Sequence, residues 1–116
     1  MDRAFSEHWG LLHEAVQESI ERNALLYSDH ALKQMKERGI SDRETKDVLI
    51  NHPPHEMFAP YEYPYGDKPF SNPDPVFSVI GKADLVVAVA VQRYRRRIRF
   101  VVITVFHASE HSRHKK

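Results

Sequence analysis

Apolar residues recur at helical spacing near the start of the chain and at strand spacing toward its end. Phe5, Trp9, Leu12, Val16 and Ile20 share one face of a helix expected over residues 3–22. Glu7, His8, Glu14, Gln17, Glu18 and Glu21 lie opposite, and Asn23 is a stop. This helix reads as a packing element or a dimer contact, with His8 and His13 on its surface. Leu25, Leu26 and Tyr27 suit a short first strand. Ser28 or Asp29 then caps a second helix whose buried side is Ala31, Leu32 and Met35. Gly39 ends it in the left-handed position. Ser41 with Glu44 forms a capping box for a third helix over 42–51, with Thr45, Val48 and Leu49 inward. His52-Pro53-Pro54 stops that helix.

All seven prolines fall between residues 53 and 75, among Phe58, Tyr61, Tyr63, Tyr65 and Phe70. The expectation is one short strand, 55–60, and a long ordered loop, because so many aromatics do not suit a flexible linker. Those rings either stack bases or grip a partner, or they fold back over the sheet edge. Three valine- and isoleucine-rich strands follow, 76–81, 85–93 and 98–107, joined by tight connections. They predict an antiparallel meander. The middle strand is apolar on both faces, so both faces are expected to be covered. The fold class is α+β, with N-terminal helices packed on a curved four- to five-stranded antiparallel sheet.

Length and composition narrow the function classes. At 116 residues the chain reads as one domain: an N-terminal helical extension over 1–23, a core over 24–107 and a basic tail over 108–116. It has no cysteine, which excludes disulfide and thiolate chemistry. The N-terminus is charged, with no signal-like apolar run. The longest apolar run is the seven residues 85–91, far below the roughly 20 that span a bilayer. A cytoplasmic protein is expected. The net charge of +1 hides a cluster, Arg93, Arg95, Arg96, Arg97 and Arg99, with Arg113, Lys115 and Lys116 in the tail. Local basicity of this kind is compatible with a nucleic-acid partner.

The stretch 28–41, SDHALKQMKERGIS, carries most of the candidate chemistry. It gathers His30, Lys33, Lys36 and Arg38 on one short helix. His30 lies near the helix start, where the dipole works against a charged imidazole, and a near-neutral imidazole suits acid–base work. Arg38 lies about 80° around the helix and about 12 Å along it, within reach of a phosphate held between them. In the last strand, strict alternation puts Ile98, Phe100, Val102, Thr104 and Phe106 on one face and Arg97, Arg99, Val101, Ile103, Val105 and His107 on the other. Thr104 and His107 interrupt the apolar pattern. The bland readings are a helix-start histidine bonded to a loop, an arginine paired with Glu37 or Glu44, a strand-forming threonine and a solvent-facing histidine. No phosphate loop or nucleophile elbow is present. His107, His111 and His114, or His52 and His55, are weak metal hints without a recognisable zinc pattern. No metal or other cofactor is expected.

SDHALKQMKERGIS is similar to the "H-A-x-x-R-M-x-E-R-G-I" opening of the domain-of-unknown-function 4258 family, and ITVFH (103–107) resembles the strand that closes that domain. The resemblance covers roughly residues 24–107. It places the chain near the RelE-like toxins and, more widely, the barnase-, EndoU- and colicin-like ribonuclease fold. It implies metal-independent RNA cleavage by a toxin neutralised by a partner antitoxin. His30, Arg38 and Thr104 match the family's histidine, arginine and threonine. Lys33 or Gln34 stands where members often have an arginine, and the N-terminal helix and the aromatic loop look like additions.

The mechanism implied is transesterification, in which the ribose 2′-oxygen attacks the adjacent phosphorus and cations stabilise the transition state. In this scheme His30 is acid or base, Arg38 stabilises phosphate, Thr104 bonds it, and His107 is the second acid–base group. Lys33, Arg93, Arg95, Arg97 and Arg99 hold the RNA backbone, and Tyr61, Tyr63 or Tyr65 stack bases. The alternatives are a non-catalytic RNA- or protein-binding module of the same fold, or an assembly protein dimerising through its first helix. Convergence of His30, Arg38, Thr104 and His107 on one cleft discriminates between enzyme and binding module.

Overall fold

The computed structural model describes residues 9–65 and 68–108, with only the backbone of Trp9. The described part of the first helix is α1, Trp9–Glu21; the expected start at residue 3, with Phe5, Glu7 and His8, lies outside the described residues. Strand β1 is Leu26–Tyr27, helix α2 Asp29–Arg38 and helix α3 Asp42–Asn51. Strands β2 (Glu56–Phe58), β3 (Val76–Ile80), β4 (Leu85–Tyr94) and β5 (Arg97–His107) complete the fold.

The caps act as local chemistry dictates. Ser28 accepts from the Ala31 amide, and Gly39 closes α2 at φ 66° with its N–H on the Met35 carbonyl. Ser41 and Glu44 exchange both bonds of the capping box, at 3.0 Å each. Ala31 and Met35 are buried as expected, but Leu32 is 49% exposed. Helix α2 stands along the edge of the sheet, so only a narrow stripe of it faces the core. His13 is not a free surface residue either. Its Nε2 donates to the Ile50 carbonyl at 2.9 Å, beside Gln17 Nε2 at 2.8 Å. Together they satisfy a carbonyl that the end of α3 leaves without a helical partner.

The sheet order is β1-β5-β4-β3-β2. Strands β2 to β5 are antiparallel, as expected for a meander. Strand β1 corrects the all-antiparallel expectation: it pairs parallel with β5, Leu26 beside Val101 and Tyr27 beside Val102, which makes the sheet mixed. Helix α2 leaves β1 at this point and runs on along β5.

Both faces of β4 are covered. Val16, Ala31, Met35, Ile40, Val48 and Leu49 pack over Phe77, Val87, Val89, Phe100, Val102 and Val105. On the other face Tyr63 packs over Val76, Ala88 and Ala90, flanked by Phe58, Tyr65 and Ile103. Small alanines there leave depth for the ring. The loop 59–75 is tied to itself by Tyr61 N–H to the Asn72 carbonyl (2.7 Å) and Phe70 N–H to the Tyr63 carbonyl (2.8 Å).

Strict alternation in β5 fails at one point. Ala88 pairs with Thr104 but Val89 with Val102, so Ile103 is the extra residue of a bulge. Beyond it the faces exchange. Val105 joins the helix side, while Thr104 turns to the loop side with Ile103.

Candidate functional site

That exchange of faces brings Thr104 to His30. Both line a cleft of about 380 Å³ on the loop side of the sheet, with Tyr63, Tyr65, Lys68 and Gln92. The start of α2 supplies Ser28 and His30, and the loop supplies Asn72 and Asp74. The Asp74 amide bonds the Asn72 side chain at 2.9 Å, a turn that fixes this rim. His30 is half-buried, and its Nε2 is shut off from solvent with no hydrogen-bond partner among the described residues. A buried ring nitrogen without a partner costs about 1–3 kcal/mol. Such an atom calls for an explanation in what the site holds.

Thr104 is 3% exposed and Tyr63 4%. Burial pushes the Tyr63 phenol up to about 12, against a smaller downward pull from its hydrogen bond with the Thr104 side chain. Tyr63 is thus a neutral, buried floor of the cleft, and its ring is not free to stack a base. Tyr65 is half-buried at the cleft, and Tyr61 stands 59% exposed on the loop.

Arg38 and His107 are held elsewhere. Arg38 donates to the Val105 carbonyl at 3.0 Å, and Gln34 accepts from the Val105 amide at 2.9 Å. These two side chains, four residues apart on α2, serve β5 as a missing neighbour strand would. The partner of Arg38 is therefore a strand backbone and not Glu37 or Glu44. His107 pairs with Leu85 on the helix side, and its Nδ1 donates to the Ala83 carbonyl at 3.1 Å. Glu44 has its carboxyl held below the usual range chiefly by its capping bonds to Ser41. The four residues do not converge: His30 and Thr104 line one cleft, while Arg38 and His107 stand apart from it.

The basic hairpin continues the same face. Gln92 pairs across the strands with Arg99, and Tyr94 with Arg97. Arg99 Nε donates to Gln92 Oε1 at 2.8 Å, and its guanidinium lies 4.4 Å from the Tyr94 ring centre. A line of polar and cationic groups thus runs from the cleft to the hairpin. Arg93 pairs with Ile98 on the opposite face, and Lys33 is exposed on α2. Arg95 and Arg96 form the two-residue turn with φ of 49° and 68°, the positive pair of a type I′ turn usually made by Asn-Gly.

Sequence reasoning missed Lys68, Asn72, Asp74 and Gln92. Gln92 was visible as the first polar residue after the apolar run of β4, and Asn72-Pro73-Asp74-Pro75 as a rigid turn. Nothing local marked Lys68. Among the described residues no group of three histidines or carboxylates is placed to hold a metal ion. His111 and His114 lie outside the described residues. No described helix is long and apolar enough to cross a membrane.

No curated protein and no solved structure matches this chain. A family model described as "Domain of unknown function (DUF4258)" matches residues 27–107, from β1 through β5. The match takes in His30, Thr104 and the whole loop between them, and the chain belongs to that family.

Proposed function

We propose that the chain is a metal-independent endoribonuclease that works in the His30 cleft, with the basic hairpin holding the RNA. The observation that carries this reading is that His30 and Thr104 line one cleft, on the face that Arg97 and Arg99 make cationic. His30 moves the proton of the ribose 2′-OH. The 2′-oxygen bonds to phosphorus, the bond to the 5′-oxygen breaks, and that oxygen takes a proton from water or the imidazolium. Lys68 brings the cation that Arg38, bound to Val105, does not. Tyr65 offers the stacking ring. RelE-like ancestry, a cytoplasmic toxin role with an antitoxin partner, and a dimer through α1 belong to this proposal and rest on the resemblance of 28–41 and on the amphipathic first helix.

The failure of the four candidates to share one cleft favours a second reading. Arg38 and His107 hold backbone carbonyls away from His30 and Thr104, which suits a non-catalytic RNA- or protein-binding module of the same fold. Defined single-stranded RNAs incubated with the protein in EDTA separate the two. Cleavage to 2′,3′-cyclic phosphate ends, lost in His30→Ala, is the expected result. Salt-sensitive binding without cleavage would replace the enzyme with the module.

A further inference from the structure

Behind Tyr63, on the same face of the sheet, lies a second hollow of about 160 Å³ lined by Phe58, Tyr65, Phe106, Glu56 and His55. Its rings stand steeply to one another. Phe58 and Tyr63 are 5.1 Å apart at 75°, Tyr63 and Tyr65 5.6 Å at 75°, and Tyr65 and Phe106 6.2 Å at 52°. A base sandwiched within the hollow needs two parallel walls about 7 Å apart, twice the stacking distance. No two successive rings here are parallel. Rings set at steep angles enclose a rounded group instead.

The one carboxylate of the rim is an acceptor, and the Ser78 hydroxyl, which also lines the hollow, is turned to His55 Nδ1 at 3.4 Å. Glu56 is exposed and carries a carboxylate. His55 Nδ1 lies 3.1 Å from the Ser78 carbonyl and 3.4 Å from the Ser78 hydroxyl; in the tautomer that donates to the nearer carbonyl, Nε2 keeps its lone pair. That Nε2 is 3.9 Å from Glu56 Oε1. Aromatic faces are the negative side of the ring quadrupole, and a carboxylate at the mouth adds to the same sign. We infer that this aromatic hollow binds an alkylammonium cation, methylated or primary, with Glu56 as its counter-charge. A strongly hydrated metal ion does not suit apolar walls, whereas a methylated ammonium sheds little water on entering. This inference does not depend on RNA cleavage at His30.

The test titrates the full chain with choline and follows ligand methyl and protein ring protons by NMR. Ring currents should shift the methyls upfield, with saturation in the millimolar range. The neutral isostere 3,3-dimethylbutan-1-ol should bind at least about fivefold more weakly, the difference that a cation over these rings and a carboxylate supplies. Glu56→Gln should weaken choline about twofold to fivefold with the amide spectrum unchanged, the size of a partly exposed charge effect. Phe106→Leu, which keeps apolar volume but removes one ring, should weaken it as well. A trimethyllysine peptide binding more tightly than choline would assign the cation to a protein partner, and the reverse order to a small molecule; either supports the inference. Equal binding of the isostere, tighter binding of adenosine, unsaturable choline shifts, or indifference to Glu56→Gln would overturn it.

Discussion

The two faces of the sheet are built by different means. The helix side is closed by regular elements whose caps, stripes and apolar partners agree with one another; of its buried polar side chains, Ser19 and Thr45, the Thr45 hydroxyl is bonded to the Ser41 carbonyl at the cap of its own helix. The loop side is closed by an irregular aromatic segment over alanines; it too buries polar side chains, Thr104 and Ser78, and beside them the His30 Nε2, which has no partner among the described residues. A face built by helices commits its side chains to stability. One built by a self-tied loop can leave hollows and polar atoms, and both candidate sites lie there.

The largest break in this comparison should come from the helix-side core. Phe77 is 1% exposed and meets Phe100 at 6.1 Å, edge to face. Phe77→Ala should lower unfolding free energy by about 3–5 kcal/mol. Phe58→Ala, half-buried on the loop side, should cost about half as much or less, both read from denaturant midpoints. Equal losses would mean that the loop side is as much a core as the helix side.

Next comes the joint between α3 and the β3–β4 connection. A Cβ on Gly81 would stand 2.6 Å from a Val48 methyl. Val48 is branched and buried, so Gly81→Ala should cost about 1–3 kcal/mol. Adding Val48→Ala should recover part of that loss, a coupling that a double-mutant cycle measures.

Tyr63→Phe sharpens the contrast on the loop side. It removes the hydroxyl bonded to Thr104 and should cost about 1–2 kcal/mol. It should also change the alkaline limb. Burial first, then Asp42, raise the Tyr27 phenol, and burial raises Tyr63. The folded state therefore keeps protons that the unfolded chain releases above its ordinary value of 10.0. Their stabilisation is complete below that pH and is lost as pH rises, for Tyr63 up to about 12. Tyr63→Phe and Tyr27→Phe should each flatten that fall.

The smallest expected effect lies at the hairpin tip. Arg95 and Arg96 both hold positive φ, which is uphill for any residue with a Cβ. Replacing the pair by Asn-Gly should stabilise the hairpin by about 1 kcal/mol. It should also make the salt dependence of RNA binding shallower by about 1.4, two cations at 0.7 each. A gain in stability with unchanged RNA binding would take the hairpin tip out of the interface.

The same contrast explains what could be read from the chain. Ser28, Gly39, Ser41 and Glu44 mark α2 and α3 because caps are short-range chemistry, and the valine runs mark β3 to β5. The parallel pairing of β1, the exposure of Leu32 and the use of Arg38 and Gln34 on Val105 depend on where α2 lies beside β5, which no local pattern carries. The bulge at Ile103 is decisive for the site. It moves Thr104 to the face of His30 and separates it from Val102, against simple alternation. His30 and Thr104 were therefore legible as candidates from the motif, but their meeting was not.

The proposed chemistry belongs to the loop-side cleft and not to Arg38 and His107, which hold backbone carbonyls. Single-turnover cleavage of one defined RNA, in EDTA, should be compared for wild type, His30→Ala and His107→Ala. Expected are 2′,3′-cyclic ends from wild type, a loss of about a hundredfold or more in His30→Ala, and near-wild-type rates in His107→Ala. Undiminished cleavage by His30→Ala, or a loss confined to His107→Ala, would contradict that assignment.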